Sequence, residues 1–170
     1  YQDEPRLYDR GHMTPNHAIV SRYGKEAQLE TFLMSNICPQ RSEMNQQTWR
    51  YLEHAVAEEY SSQFDHLWVI AGPIFDKNPK RLNGLAAIPR AFYMIVAGKN
   101  DDDSEPLLLA IVMDQNVKGT HELRDFVRNV DYIERLTGLD FFHDLPDEVE
   151  DRVEAAQPDE VWEVDQILAP

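Results

Sequence analysis

Between residues 42 and 62 apolar side chains recur at helical spacing: Trp49, Leu52, Val56 and Tyr60 fall three or four positions apart. This predicts an amphipathic helix opening at Ser42, a side chain suited to an N-cap. Upstream, residues 31–37 are apolar and loosely alternating. They predict a strand that ends at Pro39, which has no N–H for a ladder. Residues 66–71 predict a buried strand stopped by Gly72-Pro73. A basic loop, 76–85, follows with Lys77, Lys80 and Arg81. Residues 91–97 and 107–113 flank an acidic turn at 100–106 and predict an antiparallel hairpin. A short edge strand is expected within 124–130. A helix capped by Asp131 then runs to Leu136, with Gly138 as its stop. Residues 146–156 predict a second, strongly acidic helix with a solvated face. Strands that neighbour one another in sequence, with helices to cover them, make an α+β domain.

Composition bounds this picture. The 170 residues suffice for one domain with its own core. No apolar run approaches the roughly 18 residues of a membrane span. Cys38 is the single cysteine, so no intramolecular disulfide forms. That suits a reducing compartment, or an exported protein without bridges. The sequence opens on Tyr1 and is silent about any targeting segment. The net charge of −15 argues at first against a nucleic-acid partner. Its distribution reverses that reading. Residues 1–100 balance 11 basic against 11 acidic side chains, and the whole excess lies in residues 101–170. The neutral part, with Arg10, Arg22, Lys25, Arg41 and Arg50, can hold a phosphate backbone weakly.

That neutral part also carries the chemistry. Asp9-Arg10-Gly11-His12 is followed by Asn45 near the predicted helix start and by Glu53 eight residues further on. Cleaving a phosphodiester requires a proton acceptor for water and positive charge for the phosphoryl and leaving oxygens. Histidine suits the first task at neutral pH. A divalent cation suits the second, and Mg²⁺ often uses only one or two protein oxygens. Asn45 supplies one neutral oxygen. Glu53 lies about 80° around the helix from it at 3.6 residues per turn, placed to accept hydrogen bonds from water around an ion. Arg10 and His12 share a face if their segment is a strand, and arginine grips phosphate in a fork.

Three segments carry a specific resemblance: Asp9-Arg10-Gly11-His12-Met13-Thr14-Pro15, Ser35-Asn36-Ile37-Cys38-Pro39-Gln40, and Met44-Asn45-Gln46-x-x-Trp49-x-x-Leu52-Glu53. The chain resembles the DNA/RNA non-specific endonucleases, the ββα-metal or His-Me finger group that includes secreted bacterial nucleases and mitochondrial endonuclease G. Ala71-Gly72-Pro73-Ile74-Phe75, Ile88-Pro89-x-x-Phe92-Tyr93 and Ile133-Glu134-x-x-Thr137-Gly138-Leu139-x-Phe141 extend the likeness to about residue 143. The resemblance implies a mainly antiparallel central sheet flanked by helices, with a ββα-metal finger as the site. It implies His12 as general base, Asn45 as the sole direct protein ligand of Mg²⁺ (Mn²⁺ being the alternative ion), Glu53 on water around the metal, Arg10 on phosphate charge and Asn36 orienting the site. Arg41 and Arg50 join Arg10 as substrate contacts. The implied partners are DNA and RNA, a second copy of the chain, and an inhibitor or immunity protein. The implied products carry a 5′-phosphate, and the implied location is secreted or periplasmic. The expected division is a nuclease domain over 1–143 and an acidic helical extension over 144–170. Relatives carry a longer stretch before Asp9, with a further functional arginine, where this sequence has eight residues.

Each residue also has a plainer reading. His12 beside an arginine is usually structural, Asn45 suits a helix start bonding its own backbone, and Glu53 suits a helix ion pair with Arg50. Asn36 suits a strand end, Trp49 the core, Cys38 a small buried filler. Asp101-Asp102-Asp103 suits a solvated turn. Two other functions stay open: a degenerate nuclease fold that binds nucleic acid or protein, and a nuclease of narrower substrate range, set by the Lys77–Arg81 loop.

Overall fold

A computed structural model describes residues 7–118, 122–158 and 162. Four antiparallel strands form the main sheet, in the order β3-β6-β7-β8. They are β3 (His66–Ile74), β6 (Ala91–Lys99), β7 (Leu107–Asp114) and β8 (Val127–Arg128). A separate ribbon pairs β1 (Tyr8–His12) with β2 (Ile37–Arg41), placing Gly11 opposite Cys38 and His12 opposite Ile37. A small hairpin of β4 (Arg81–Leu82) and β5 (Ala86–Ala87) sits inside the basic loop. The helices are α1 (Asn16–Glu30), α2 (residues 42–62), α3 (Val130–Thr137) and α4 (Asp147–Ala155). The ribbon followed at once by α2 is the expected finger, and the whole is the expected α+β fold.

Strand alternation divides the core into two layers. Phe92, Met94 and Val96 of β6, with Leu109, Ile111 and Met113 of β7, pack under Met44, Trp49, Leu52, Val56 and Tyr60 of α2. Tyr93, Ile95 and Ala97, with Leu108 and Ala110, face the other way onto Val130 and Ile133 of α3 and Val153 of α4. The finger therefore lies on one side of the sheet, and α3 with α4 on the other.

Several sequence expectations change. The strand expected at 31–37 lies later, over Ile37–Arg41. Met34–Asn36 is a 3₁₀ turn, and Phe32, Leu33 and Met34 are exposed despite being apolar. Pro39 sits inside β2 opposite Arg10. A two-strand ribbon tolerates it because one side of each strand lies outside the ladder. Ser42 is not a cap; Arg41 occupies the N-cap position without a side-chain bond, and the Ser42 hydroxyl turns to Asp9. Strand β3 runs through Gly72-Pro73 to Ile74 and is an edge strand, not a buried one, with Trp68 52% exposed. Residues 124–130 hold a 3₁₀ turn (Leu123–Phe126) before the two-residue edge strand β8. Asn129, not Asp131, caps α3 by accepting from the Tyr132 N–H at 3.0 Å; Gly138 ends that helix at φ 71 as expected. Helix α1, broken at Gly24, was not foreseen.

Candidate functional site

Asp9 anchors the finger. Its Oδ1 accepts from Ser42 Oγ at 2.8 Å, and its Oδ2 accepts from Asn45 Nδ2 at 2.9 Å and Gln46 Nε2 at 2.8 Å. Burial raises the Asp9 pKa, but the bonds from Asn45, Gln46 and Ser42 outweigh it, and the carboxyl ends below its ordinary value. An ionised carboxylate only accepts hydrogen bonds, so the amide of Asn45 must turn its nitrogen toward Asp9. The amide oxygen, on the opposite side of the same carbon, then points away from Asp9. A neutral carbonyl-type oxygen held in this way suits Mg²⁺ or Mn²⁺, which take oxygen donors.

Gly11 lets the ribbon close over this anchor. A Cβ there would lie 1.8 Å from Gln40 Oε1, and Gln40 is fully buried. The other end of β1 is fixed by Asn36. Its Oδ1 accepts from the Thr14 N–H at 2.8 Å, and its Nδ2 donates to the carbonyls of Thr31 and Thr14 at 2.9 and 3.2 Å. Asn36 thus spends its amide on the backbone at Thr14, two residues past His12, and at Thr31.

The His12 ring is half-buried and packs edge-on against Phe32, with centroids 5.2 Å apart. Burial lowers its pKa from the usual 6.5, so it is neutral at pH 7. Its Nε2 is buried with no hydrogen-bond partner, which leaves Nδ1 as the nitrogen for water. No hydrogen bond joins His12 to Asn45; both stand on the Asp9–Asn36 framework. Arg10 is exposed on the strand face it shares with His12.

Helix α2 contains two wide π turns, Asn45–Trp49 and Ala55–Glu59. The first takes up an extra residue between Asn45 and Glu53, so the two lie closer to a common face than the about 80° of a uniform α-helix. Trp49 is fully buried, as expected, and its Nε1 donates to Glu53 Oε1 at 3.0 Å. Burial raises the Glu53 pKa to about 7 despite the Trp49 bond and the Arg50 charge. Glu53 lines a hollow of about 240 Å³ with Met13 and Thr14, the two residues after His12. Arg50 is exposed on α2. Arg41 is half-buried beneath the Tyr8 ring, its Cζ 6.0 Å from the centroid.

Sequence reasoning missed two supports. Asp9 stood in the tetrapeptide without a role. Gln115, at the end of β7, donates to the carbonyls of Pro39 and Pro89 at 2.8 and 3.1 Å and accepts from the Arg41 N–H at 2.7 Å. It ties the finger to the main sheet. A buried glutamine between two backbone segments distant in sequence leaves no local signal.

Comparison with known proteins places the chain in a family. Residues 1–148 match the family described as DNA/RNA non-specific endonuclease. A mitochondrial nuclease EXOG of Danio rerio is 30% identical over 148 residues, covering 79% of this chain and 42% of that protein. A nuclease of Serratia marcescens is 29% identical, covering 84% of this chain and 53% of that protein. The chain therefore spans about half, or less, of the length of these curated relatives. The solved EndoG/EndoGI complex, described as showing the mechanism of EndoG inhibition, contains a similar chain. Its TM-score is 0.72 at 26% identity, covering 86% of this chain and 64% of that one.

Proposed function

The chain belongs to the DNA/RNA non-specific endonuclease family, and from that premise we propose that it is a metal-dependent endonuclease that hydrolyses phosphodiester bonds in DNA and RNA. The observation that carries this reading is the Asp9–Asn45 bond, which turns a neutral amide oxygen outward beside a strand bearing a neutral histidine. Asn45 would hold Mg²⁺ through Oδ1. When bound, the ion supplies positive charge for the phosphoryl and leaving oxygens.

His12 Nδ1 accepts the proton of a water as that water's oxygen attacks phosphorus. The new P–O bond forms as the P–O3′ bond breaks and the departing O3′ takes a proton from solvent water, leaving a 5′-phosphate and a 3′-hydroxyl. Arg10 contributes a fixed positive charge on the face it shares with His12. Glu53, held by Trp49, accepts hydrogen bonds from water near Asn45. Asn36 positions His12 through the backbone, and Arg41 and Arg50 add charge along the substrate path. Contacts to phosphate carry no sequence information, which suits cleavage without sequence preference.

Digestion of plasmid DNA and of RNA, in Mg²⁺ and in EDTA, tests the proposal. The expected outcome is cleavage of both in Mg²⁺ and of neither in EDTA. Cleavage undiminished by EDTA would overturn it. Tight DNA binding with no metal-stimulated cleavage would favour the binding-module reading, and cleavage of RNA or single strands alone the narrower enzyme. A protein inhibitor is a further expected partner, by analogy with the complex in which the EndoG relative was solved.

A further inference from the structure

Helices α3 and α4 place three carboxylates together on the side of the sheet away from the finger. Asp131 and Glu134 stand three residues apart on α3, one above the other on a single face. Glu154 comes from the last turn of α4. One oxygen from each lies within 4.8 Å of the others. Among the described residues, none of the three pairs with a lysine or arginine; the nearby Arg152 is committed to Glu105.

Glu154 is the unusual member. It is only 5% exposed, and its Oε1 is buried with no hydrogen-bond partner. Ionising a buried carboxyl without a partner is costly, and two neighbouring carboxylates add to that cost. The surrounding structure holds the arrangement in place. Glu134 Oε1 accepts from the Phe141 N–H at 2.7 Å, which orients its carboxylate. Asn129 Nδ2 donates to the Ala155 carbonyl at 3.3 Å, linking the start of α3 to the end of α4. Val130, Ile133 and Val153 anchor both helices in the core beneath.

We propose that Asp131, Glu134 and Glu154 form a second cation site, separate from the catalytic one, that binds a hard divalent cation and clamps α4 onto α3. The donors are oxygens alone, with no histidine or cysteine, which selects Ca²⁺ or Mg²⁺ over zinc. Three carboxylates overcompensate a divalent charge, in contrast to the single neutral oxygen of Asn45. In the absence of a cation, burial and the charges of Glu134, Glu150, Asp131 and Asp140 raise the Glu154 pKa to about 8. A cation offsets the same repulsion. The competing arrangement is a proton shared between Glu154 and a neighbouring carboxylate.

Equilibrium dialysis of the Asn45→Ala protein against radiolabelled Ca²⁺ separates this site from the catalytic one. The result expected is one Ca²⁺ per chain, with the binding lost in Asn45→Ala/Glu154→Gln and in Asn45→Ala/Asp131→Asn. Thermal unfolding should show the same pattern: Ca²⁺ raises the Tm of Asn45→Ala and leaves both double variants unmoved. Glutamine and asparagine keep the side-chain shape, and removing a repelling charge favours folding, so both variants remain testable. Absence of Ca²⁺ binding in Asn45→Ala would overturn the proposal, as would binding that survives both substitutions. A Glu154→Gln protein stabilised over its parent, with neither responding to Ca²⁺, would point to the shared proton instead. Plasmid cleavage by Glu154→Gln in Mg²⁺ is expected at the parent rate, so failure here leaves the nuclease reading standing.

Discussion

Asp9 bonds Ser42, Asn45 and Gln46 at once, so its removal should act on the site through Asn45. Asp9→Asn puts an amide where an acceptor is needed. We predict that it raises the Mg²⁺ concentration for half-maximal cleavage by about 10- to 100-fold, the usual scale for a residue that orients a ligand. An unchanged Mg²⁺ requirement would separate Asp9 from the metal. His12 makes a pH prediction. Burial lowers its pKa below 6.5, and the base must be neutral, so the acid limb of kcat/KM should fall below pH 6.5. A histidine with a depressed folded pKa contributes stability above its unfolded pKa, and that contribution is lost as pH falls through the folded value. An NMR titration placing His12 above 6.5 would contradict both. These side chains were legible from residue types and spacing. Asp9's partners were not, because they depend on the register of β1 against the start of α2.

At the scale of elements, legibility followed burial. Helix α2 and the β6–β7 hairpin bury regular stripes, and their sequences show them. Helix α1 fully buries none of its side chains, so no apolar stripe marks it. Phe32, Leu33 and Met34 mislead in the other direction: they are apolar yet exposed, while in β2 the polar Gln40 is fully buried. In the edge strand β3, the exposure of Trp68 and Val69 is likewise a tertiary fact. The cap of α3 was displaced by two residues. Asn129 both caps that helix and reaches Ala155 on α4. Asn129→Ala should therefore cost about 0.5–2 kcal/mol, the range for lost caps, measured by urea unfolding. Asp131→Ala should leave the cap bond intact, as the amide signal of Tyr132 in hydrogen exchange would show.

For the whole molecule, the alternation of β6 and β7 is the organising feature. It sends one set of side chains to the finger and the other to α3 and α4, placing the neutral His12–Asn45 chemistry and the acidic Asp131–Glu134–Glu154 cluster on opposite sides of one sheet. The charge split along the sequence matches this division. The balanced first hundred residues build the finger, while the acidic remainder supplies both helices of the far face. An acidic protein can in this way present a locally neutral face to a polyanion.

In the proposed reaction Asn45 holds the metal while His12 takes the proton. The most direct test is the rate of plasmid cleavage as a function of Mg²⁺ for the parent protein, Asn45→Ala and His12→Ala. Asn45→Ala is expected to need far more Mg²⁺ to reach half its maximum. His12→Ala should keep the parent's Mg²⁺ dependence but lose about 10²- to 10⁴-fold in the plateau, the usual share of a general base. Parent-like curves from both variants would contradict it.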